Sequence, residues 1–496
     1  MCSYSGAMPR IAVAGPSRLV TQAAGLIADV GGSVVDTAIV AALTAMCTEP
    51  GICAPGGGGF LTISVPGSDP VVIDGYMTYP GKGFSGEPIL REITMAYGGG
   101  VTTIVDAGSI AVPGVFAGLE MAWKMFGTAS WNELMESVAV TVEEGFPMGK
   151  AAYTYLVDSG EPIFSSDATA RKALFEDGRV REPGQTVHFE GLATTLRYIG
   201  EEGAGVFYEG DLAEAMVDDI QTRGGQLTRK DMASYEAVAR EPLSVDLGGW
   251  TLDLNPPPAV GGVTIALALQ QIASSELSGP TAWAEALVSA FTTRVEDLEP
   301  SEEMTNTAKE VLRRAGLGSP STISIAAADE DGGAVAGSFS AGYGSGVTPA
   351  GTGLMMNNAV GEIELTPGGP EAHRPGEMMM SNMAPTVARS GDSVVAIGSP
   401  GADRITSALV VTLEWLVGGM DLEEAIEHPR IHPEFGDFGV RVASEPGLDL
   451  KGVAYPLRQF DDRHMYFGGV NGAALEAGQL HGHADSRRHG SVAIVG

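Results

Sequence analysis

Apolar and polar positions follow two periods along this chain, and the places where the period changes mark its elements. Residues 10–14 form a short apolar run that predicts a strand. Apolar residues then recur at helical spacing over 19–50, interrupted at Gly31-Gly32, which predicts two helices with the second stopping near Glu49-Pro50. A glycine run at 56–59 feeds an apolar segment to 65, and 70–80 form another; together they predict a hairpin in a buried sheet. Helical spacing returns over 113–127, 131–146 and 211–225, with Asp211 placed to cap the last of these and Gly224-Gly225 to stop it. Residues 244–262 hold two short strands and a proline-rich turn, and 263–277 and 282–299 are helical.

From Thr322 onward strands dominate: 322–329, 334–341, 353–358 and the stretch 385–400, before a helix over 404–419. Between the halves, 299–321 passes from charged to small and polar residues, the composition of an exposed connector. No internal repeat of 20–50 residues stands out. Strands clustered in hairpins among helices predict an antiparallel layered α+β fold rather than a doubly wound sheet.

Composition narrows the function classes. A chain of 496 residues with 44% hydrophobic and 18% charged residues has material for a large core, as several ordinary domains or one composite one. Its net charge of −33 repels nucleic acid and anionic membrane surfaces, so neither is an expected partner. Cys2, Cys47 and Cys53 make no disulfide framework and no paired zinc motif. His428 and His432 are separated by Pro429 and do not share a helix face, so neither a metal nor a cofactor is expected. Residues 1–18 lack a basic segment followed by an apolar one, and no apolar run approaches the roughly 20 residues of a membrane span; a cytoplasmic location is the expectation.

The remaining chemistry centres on Thr322. The glycines at 56–59 are followed by a strand and no Lys-Ser/Thr pair, so they predict a tight turn without room for Cβ atoms, not a phosphate loop. Neither H-E-x-x-H nor G-x-S-x-G occurs. A threonine at the head of a strand can simply reflect β-propensity. It can also become a nucleophile that carries its own base, if cleavage of the Ser321–Thr322 bond frees its α-amine. Two further groups suit that chemistry. The turn Ser399-Pro400-Gly401-Ala402, between a strand and a helix, offers backbone N–H groups for an oxyanion. Asn357, Asn358, Glu362, Ser381 and Asn382 offer partners for the polar end of an acyl group, although each is also an ordinary turn or cap residue.

Taken in order, these segments resemble the γ-glutamyltransferases of the N-terminal-nucleophile (Ntn) hydrolase superfamily. The similarity runs nearly end to end, through GGSVVDTAIVAALTAMCTEPGICAPGGGGF, AVPGVFAGLEMAWKMFG, NPPPAVGG, DEDGGAVAGSF, GLMMNN, MSNMAPT, GSPGADRI, HPRIH and ADSRRHG. The resemblance implies a four-layer αββα sandwich built from one self-cleaved precursor, with 1–321 as the large segment and 322–496 as the small one, together a single composite domain and a processed heterodimer. It places the nucleophile at Thr322, its supporting hydroxyl at Ser340 and the oxyanion pair at Gly401 and Ala402, the latter in place of a glycine. It also implies substrate contacts at Glu362, Ser381 and Asn382, next to the Asn358 that the residues themselves offer. The arginine that clamps the glutamyl α-carboxylate in the family falls on Tyr76, and the family's T-T-H start reads Thr322-Ile323-Ser324 here. The expectation is therefore an Ntn amidohydrolase or acyltransferase acting on a small amino-acid-derived substrate through an altered acyl pocket. Two alternatives remain open at this point: cleavage of a C–C bond in a biosynthetic pathway by the same nucleophile, and an uncleaved binding homologue.

Overall fold

The computed structural model describes residues 10–96, 100–294, 322–366, 372–436 and 438–496. Its centre is a pair of antiparallel sheets. The first has seven strands in the order Val238–Arg240, Val71–Gly75, Gly58–Ser64, Ala334–Ser340, Thr322–Asp329, Ile11–Gly15, Ser491–Val495. The second has six, in the order Leu243–Leu247, Trp250–Leu254, Thr386–Ser390, Ser393–Gly398, Asn471–Glu476, Gln479–Ala484. Both sheets mix strands from before and after Thr322.

Side-chain alternation along Thr322–Asp329 shows how the layers form. Ile323, Ile325 and Ala327 point to a large apolar core shared with the helices, whereas Ala326 and Ala328 point to the other sheet. The inter-sheet core is rich in small residues, with Ala12, Ala14, Ala334 and Ala336 facing Ala396 and Ala473, so the two sheets approach closely. Helices Arg18–Ala28, Val34–Thr48 and Val115–Phe126 cover the outer face of the first sheet, and Trp131–Val142 packs on the first two of them. Helices Gly261–Ser274, Gly279–Thr293 and Arg404–Val417 cover that of the second. The result is the αββα order expected from the sequence.

Local signals explain the boundaries. The break at Gly31-Gly32 is followed by a capping box: Ser33 Oγ accepts from the Asp36 N–H at 3.1 Å, and the Asp36 carboxylate accepts from the Ser33 N–H at 2.9 Å. Cys47 and Cys53 are buried thiols, and burial pushes both well above the usual cysteine pKa. Three expectations change. Residues 353–358 form no strand: the segment touches the glycine turn through the single bridge Gly56–Met356, and Asn357 Nδ2–H donates to Gly56 O at 2.7 Å and Ala111 O at 3.0 Å. Gly210, at φ 90°, takes the cap position assigned to Asp211, which lies in the first turn of Asp211–Thr222 instead. A helix over Lys150–Phe164 was not anticipated, because Gly160 and Pro162 interrupt its pattern. The connector 299–321 lies outside the described residues.

Candidate active site

Sheet register sets the first half of the site. Thr322 pairs with Ser340, and Ser340 with Gly58. Thr322 is 7% and Ser340 6% exposed. The glycine turn makes this close packing possible. A Cβ on Gly57 would lie 2.3 Å from Ser340 O, and one on Gly59 2.2 Å from Phe339 Cδ1 and 2.4 Å from Ser338 O. The turn is a steric requirement of the strand beside Thr322, as its composition predicts.

The second half is made of loops that close over this strand edge. Thr322, Ser340, Tyr76, Glu362, Ser381, Asn382 and Ala402 line one pocket together with Leu365, Met383 and Ile405. Tyr76 follows the strand Val71–Gly75 and is held on several sides. Its ring stacks on Phe60 with centroids 5.3 Å apart, its backbone N–H donates to Asp74 Oδ1 at 3.1 Å, and its carbonyl accepts from the Tyr235 hydroxyl. Asp74 is itself tied to Arg240 Nε at 2.8 Å. Burial, and then the negative charge of Glu362, push the Tyr76 phenol well above the usual tyrosine pKa against a hydrogen bond from Ser381; the ring is therefore a neutral donor. Ser381 Oγ accepts from the Met383 N–H at 3.2 Å, and its carbonyl accepts from the Val260 N–H at 2.9 Å, which fixes the turn that presents Asn382.

Asn358 is placed differently from the other expected ligands. It is fully buried and does not line the pocket; its Oδ1 accepts from the Tyr343 N–H at 2.6 Å, and its Nδ2 donates to Thr103 Oγ1 at 3.1 Å and Ile104 O at 2.9 Å. It holds the loop beside Glu362: a Cβ on Gly342 would sit 2.3 Å from Asn358 Oδ1 and 2.9 Å from Glu362 Oε2. Ser321 lies outside the described residues.

The turn at 399–402 joins Ser393–Gly398 to Arg404–Val417. Gly401 has φ 132° and Ala402 φ 51°, so both occupy backbone regions that favour glycine. Their carbonyls accept from the N–H groups of Arg404 at 3.0 Å and Ile405 at 3.2 Å. Among the described residues neither of their own N–H groups donates to another group, and Ala402 lines the pocket. Beneath the turn lies a cluster not anticipated from the sequence. Asp403 pairs with Arg404 and lies 3.5 Å from His432 Nε2, whose Nδ1 is 2.8 Å from Ser407 Oγ. Burial opposes ionisation of Asp403, but Arg404 and His432 outweigh it and hold the carboxyl well below its usual range. Arg404 lies over the Tyr466 ring, 5.0 Å from its centroid. Ser407, His432 and Asp403 form a Ser–His–Asp arrangement, but Ser407 is buried in its helix and does not line the pocket. The residue types were visible in DRITS and HPRIH; their pairing is a tertiary contact with no local signal.

Among the described residues, no group of three or more His, Cys, Asp or Glu side chains is placed to hold a metal, and no helix is long and apolar enough to cross a membrane.

A family model described as gamma-glutamyltranspeptidase matches residues 20–313 and 280–495. The chain is 27% identical over 539 residues to the glutathione hydrolase proenzyme of Pseudomonas aeruginosa, covering 98% of this chain and 94% of that one. It is 28% identical over 443 residues to the acylase ACY 1 proenzyme of Pseudomonas sp. (strain V22), covering 82% of this chain and 79% of the relative. The crystal structure of cephalosporin acylase from Bacillus halodurans matches with a TM-score of 0.80 over 99% of this chain and 98% of that chain, at 22% identity, a likeness of fold.

Proposed function

The chain belongs to the gamma-glutamyltranspeptidase family, enzymes of the Ntn amidohydrolase and acyltransferase type, and from that premise we propose that it cleaves its own Ser321–Thr322 bond and then uses Thr322 to form an acyl-enzyme with a small amino-acid-derived amide. The observation that carries this reading is the meeting of Thr322, Ser340 and the Ala402 turn in one pocket that also holds Tyr76, Glu362, Ser381 and Asn382.

In the processing step, Thr322 Oγ1 adds to the Ser321 carbonyl carbon and the C–N bond breaks, leaving an ester. Water hydrolyses that ester, which yields a carboxylate on Ser321 and a free α-amine on Thr322. The two segments remain together as a heterodimer through the shared sheets. In turnover, the α-amine accepts the hydroxyl proton and Oγ1 attacks the substrate carbonyl. The N–H groups of Gly401 and Ala402 receive the developing oxyanion. Collapse expels the amine with the transferred proton, and water or an acceptor amine then takes the acyl group from Thr322. Ser340, opposite Thr322 in the sheet, supports the nucleophile's hydroxyl. The acyl pocket is altered: neutral Tyr76 stands where a carboxylate-clamping arginine would, and it offers no counter-charge.

Denaturing electrophoresis with intact-mass measurement tests the reading. Two chains that meet at 321/322, absent from Thr322→Ala, are expected. A single full-length chain after prolonged incubation would overturn it.

A further inference from the structure

Thr322 and the turn at 399–402 stand on different sheets. Thr322 opens a strand of the first, and the turn follows Ser393–Gly398 of the second. Their separation therefore depends on how the two sheets lie on each other. Most of that contact is alanine, valine and leucine, which holds the sheets together but gives no direction. Asn471 breaks this pattern. It is buried on the second sheet, and its Nδ2–H group reaches across to Ser324 O at 2.8 Å and Ser324 Oγ at 3.1 Å. At that end of the strand the ladder to Ile11–Gly15 has stopped: its last pair is Ala14–Ala326, and among the described residues 322–325 have no strand beside them on that edge. Within its own sheet Asn471 pairs with Gly398, the residue before the turn. Gly398 lies on the same serine, since a Cβ there would stand 3.2 Å from Ser324 Cβ and 3.5 Å from Ser338 Oγ. Ser399 follows, and its Oγ accepts from the Gly469 N–H at 3.2 Å and donates to Pro400 O at 2.9 Å.

We infer that Asn471 is a positioning residue: by bonding to Ser324 it fixes the distance between the Thr322 nucleophile and the oxyanion turn. The inference rests on the proposed function, because it takes Thr322 and the N–H groups of Gly401 and Ala402 as the reacting pair. Its physical basis is direction. Thr322 and Ser324 are two residues apart in one strand, so both side chains lie on the face that Ala326 and Ala328 turn to the second sheet. A hydrogen bond weakens steeply when its angle or length changes, whereas alanine against alanine tolerates a slide of a fraction of an ångström. A displacement of about 1 Å between reacting groups can cost roughly a hundredfold in rate, so the directional contact is the one that matters for reaction. A second hydrogen bond between the sheets, from Thr62 Oγ1–H to Pro385 O at 2.7 Å, lies two strands from Thr322 and one from the strand that bears the turn. It ties the sheets without touching either reacting group, which makes it the natural comparator.

Two small activated esters test this without calling on the acyl pocket. 4-Nitrophenyl acetate acylates the nucleophile and releases nitrophenolate. Its thionoester counterpart carries sulfur in place of the carbonyl oxygen and presents a larger, weaker acceptor to the oxyanion turn. The ratio of the two rates, with the processed full-length protein and Thr322→Ala as the background, reports the fit at that turn rather than overall stability. Asn471→Leu removes both bonds at similar volume. It should slow acylation by the ester about tenfold or more and lower the ester-over-thionoester preference at least about threefold. Gly398→Ala wedges the sheets at the same point and should slow the ester about threefold or more, again with a fall in preference. Thr62→Val should lower the melting temperature but leave rate and ratio within about twofold of wild type. The inference is overturned by an Asn471→Leu protein with unchanged rate, by slowing without a fall in preference, or by a Thr62→Val protein that loses as much. If Asn471→Leu does not fold or process, Gly398→Ala decides by the same two readings: slowing with a lower preference supports the inference, and wild-type values overturn it. Failure of the underlying reading has a separate signature, a wild-type chain that stays unprocessed or is acylated no faster than Thr322→Ala.

Discussion

The two sides of the pocket are built from different material. On the attacking side, Thr322 and Ser340 are paired residues in the middle of a seven-stranded sheet, and glycines pack against them at distances that exclude any side chain. On the acyl side, Tyr76, Glu362, Ser381 and Asn382 sit on connections between elements, with Ser381 held by a local hydrogen bond and Tyr76 by a stacked ring. The difference shows how such a site can change its substrate without losing its reaction. Altering the attack geometry means altering the register of a sheet, whereas altering selectivity means exchanging one loop side chain at a time. Substitutions on the attacking side should therefore be all-or-none, and those on the acyl side graded.

The largest expected effect is that of Thr322→Ala, which removes the hydroxyl needed for both processing and turnover; two-chain product should fall below detection by intact mass. Processing that continues at a tenth or more of the wild-type rate would break the assignment of the nucleophile. Next comes Gly57→Ala. The added Cβ would stand 2.3 Å from Ser340 O, a backbone atom that cannot swing aside. A loss of about 3 kcal/mol or more in denaturant unfolding, with impaired processing, is expected. A variant that melts and processes like the wild type would show that the attacking side is not sterically fixed.

The same contrast explains what could be read from the sequence. The strand Thr322–Asp329 was legible because apolar and small residues alternate between two buried faces, and the glycine turn because four consecutive glycines before a strand have few other uses. Residues 353–358 look equally strand-like. Their backbone has no ladder partner beyond one bridge, and Asn357 and Asn358 satisfy neighbouring peptide groups with their side chains instead. For that reason Asn358, grouped by sequence with the substrate ligands, turns inward. The Asp403–His432–Ser407 cluster was not legible, because its members belong to a turn, a strand and a helix that meet only in the folded chain. Sheet-derived features announce themselves through local period; loop-derived ones depend on which segments fold beside them.

On the acyl side, Tyr76→Arg should return a carboxylate partner to the pocket. Turnover of γ-glutamyl anilide is expected to rise about tenfold or more, mainly through KM. Processing should be unchanged, because Thr322 and its turn are untouched. If the variant processes normally and γ-glutamyl turnover does not rise, the pocket's selectivity does not reside in Tyr76, and the loops bearing Glu362 and Asn382 carry it instead.

The smallest effect probes the turn between the two sides, where Ala402 stands against its own backbone preference. Ala402 has φ 51°, a region in which its Cβ crowds the following carbonyl, while Gly401 beside it needs no such tolerance. The neighbouring hydrogen bonds, Arg404 N–H to Gly401 O and Ile405 N–H to Ala402 O, hold the turn in this shape as the helix begins. Ala402→Gly relieves the crowding but gives the unfolded chain more freedom, so the net gain should be only about 0.5–1 kcal/mol. In a chain of 496 residues that corresponds to a rise of only about 0.5–1 °C in melting temperature. The N–H direction is set by the same hydrogen bonds in either case, so kcat should stay within about threefold of wild type. A melting temperature that falls by more than about 2 °C would instead mean that the methyl group packs usefully where it lines the pocket. Ala402 would then belong to the graded acyl side of the site as well as to the oxyanion turn.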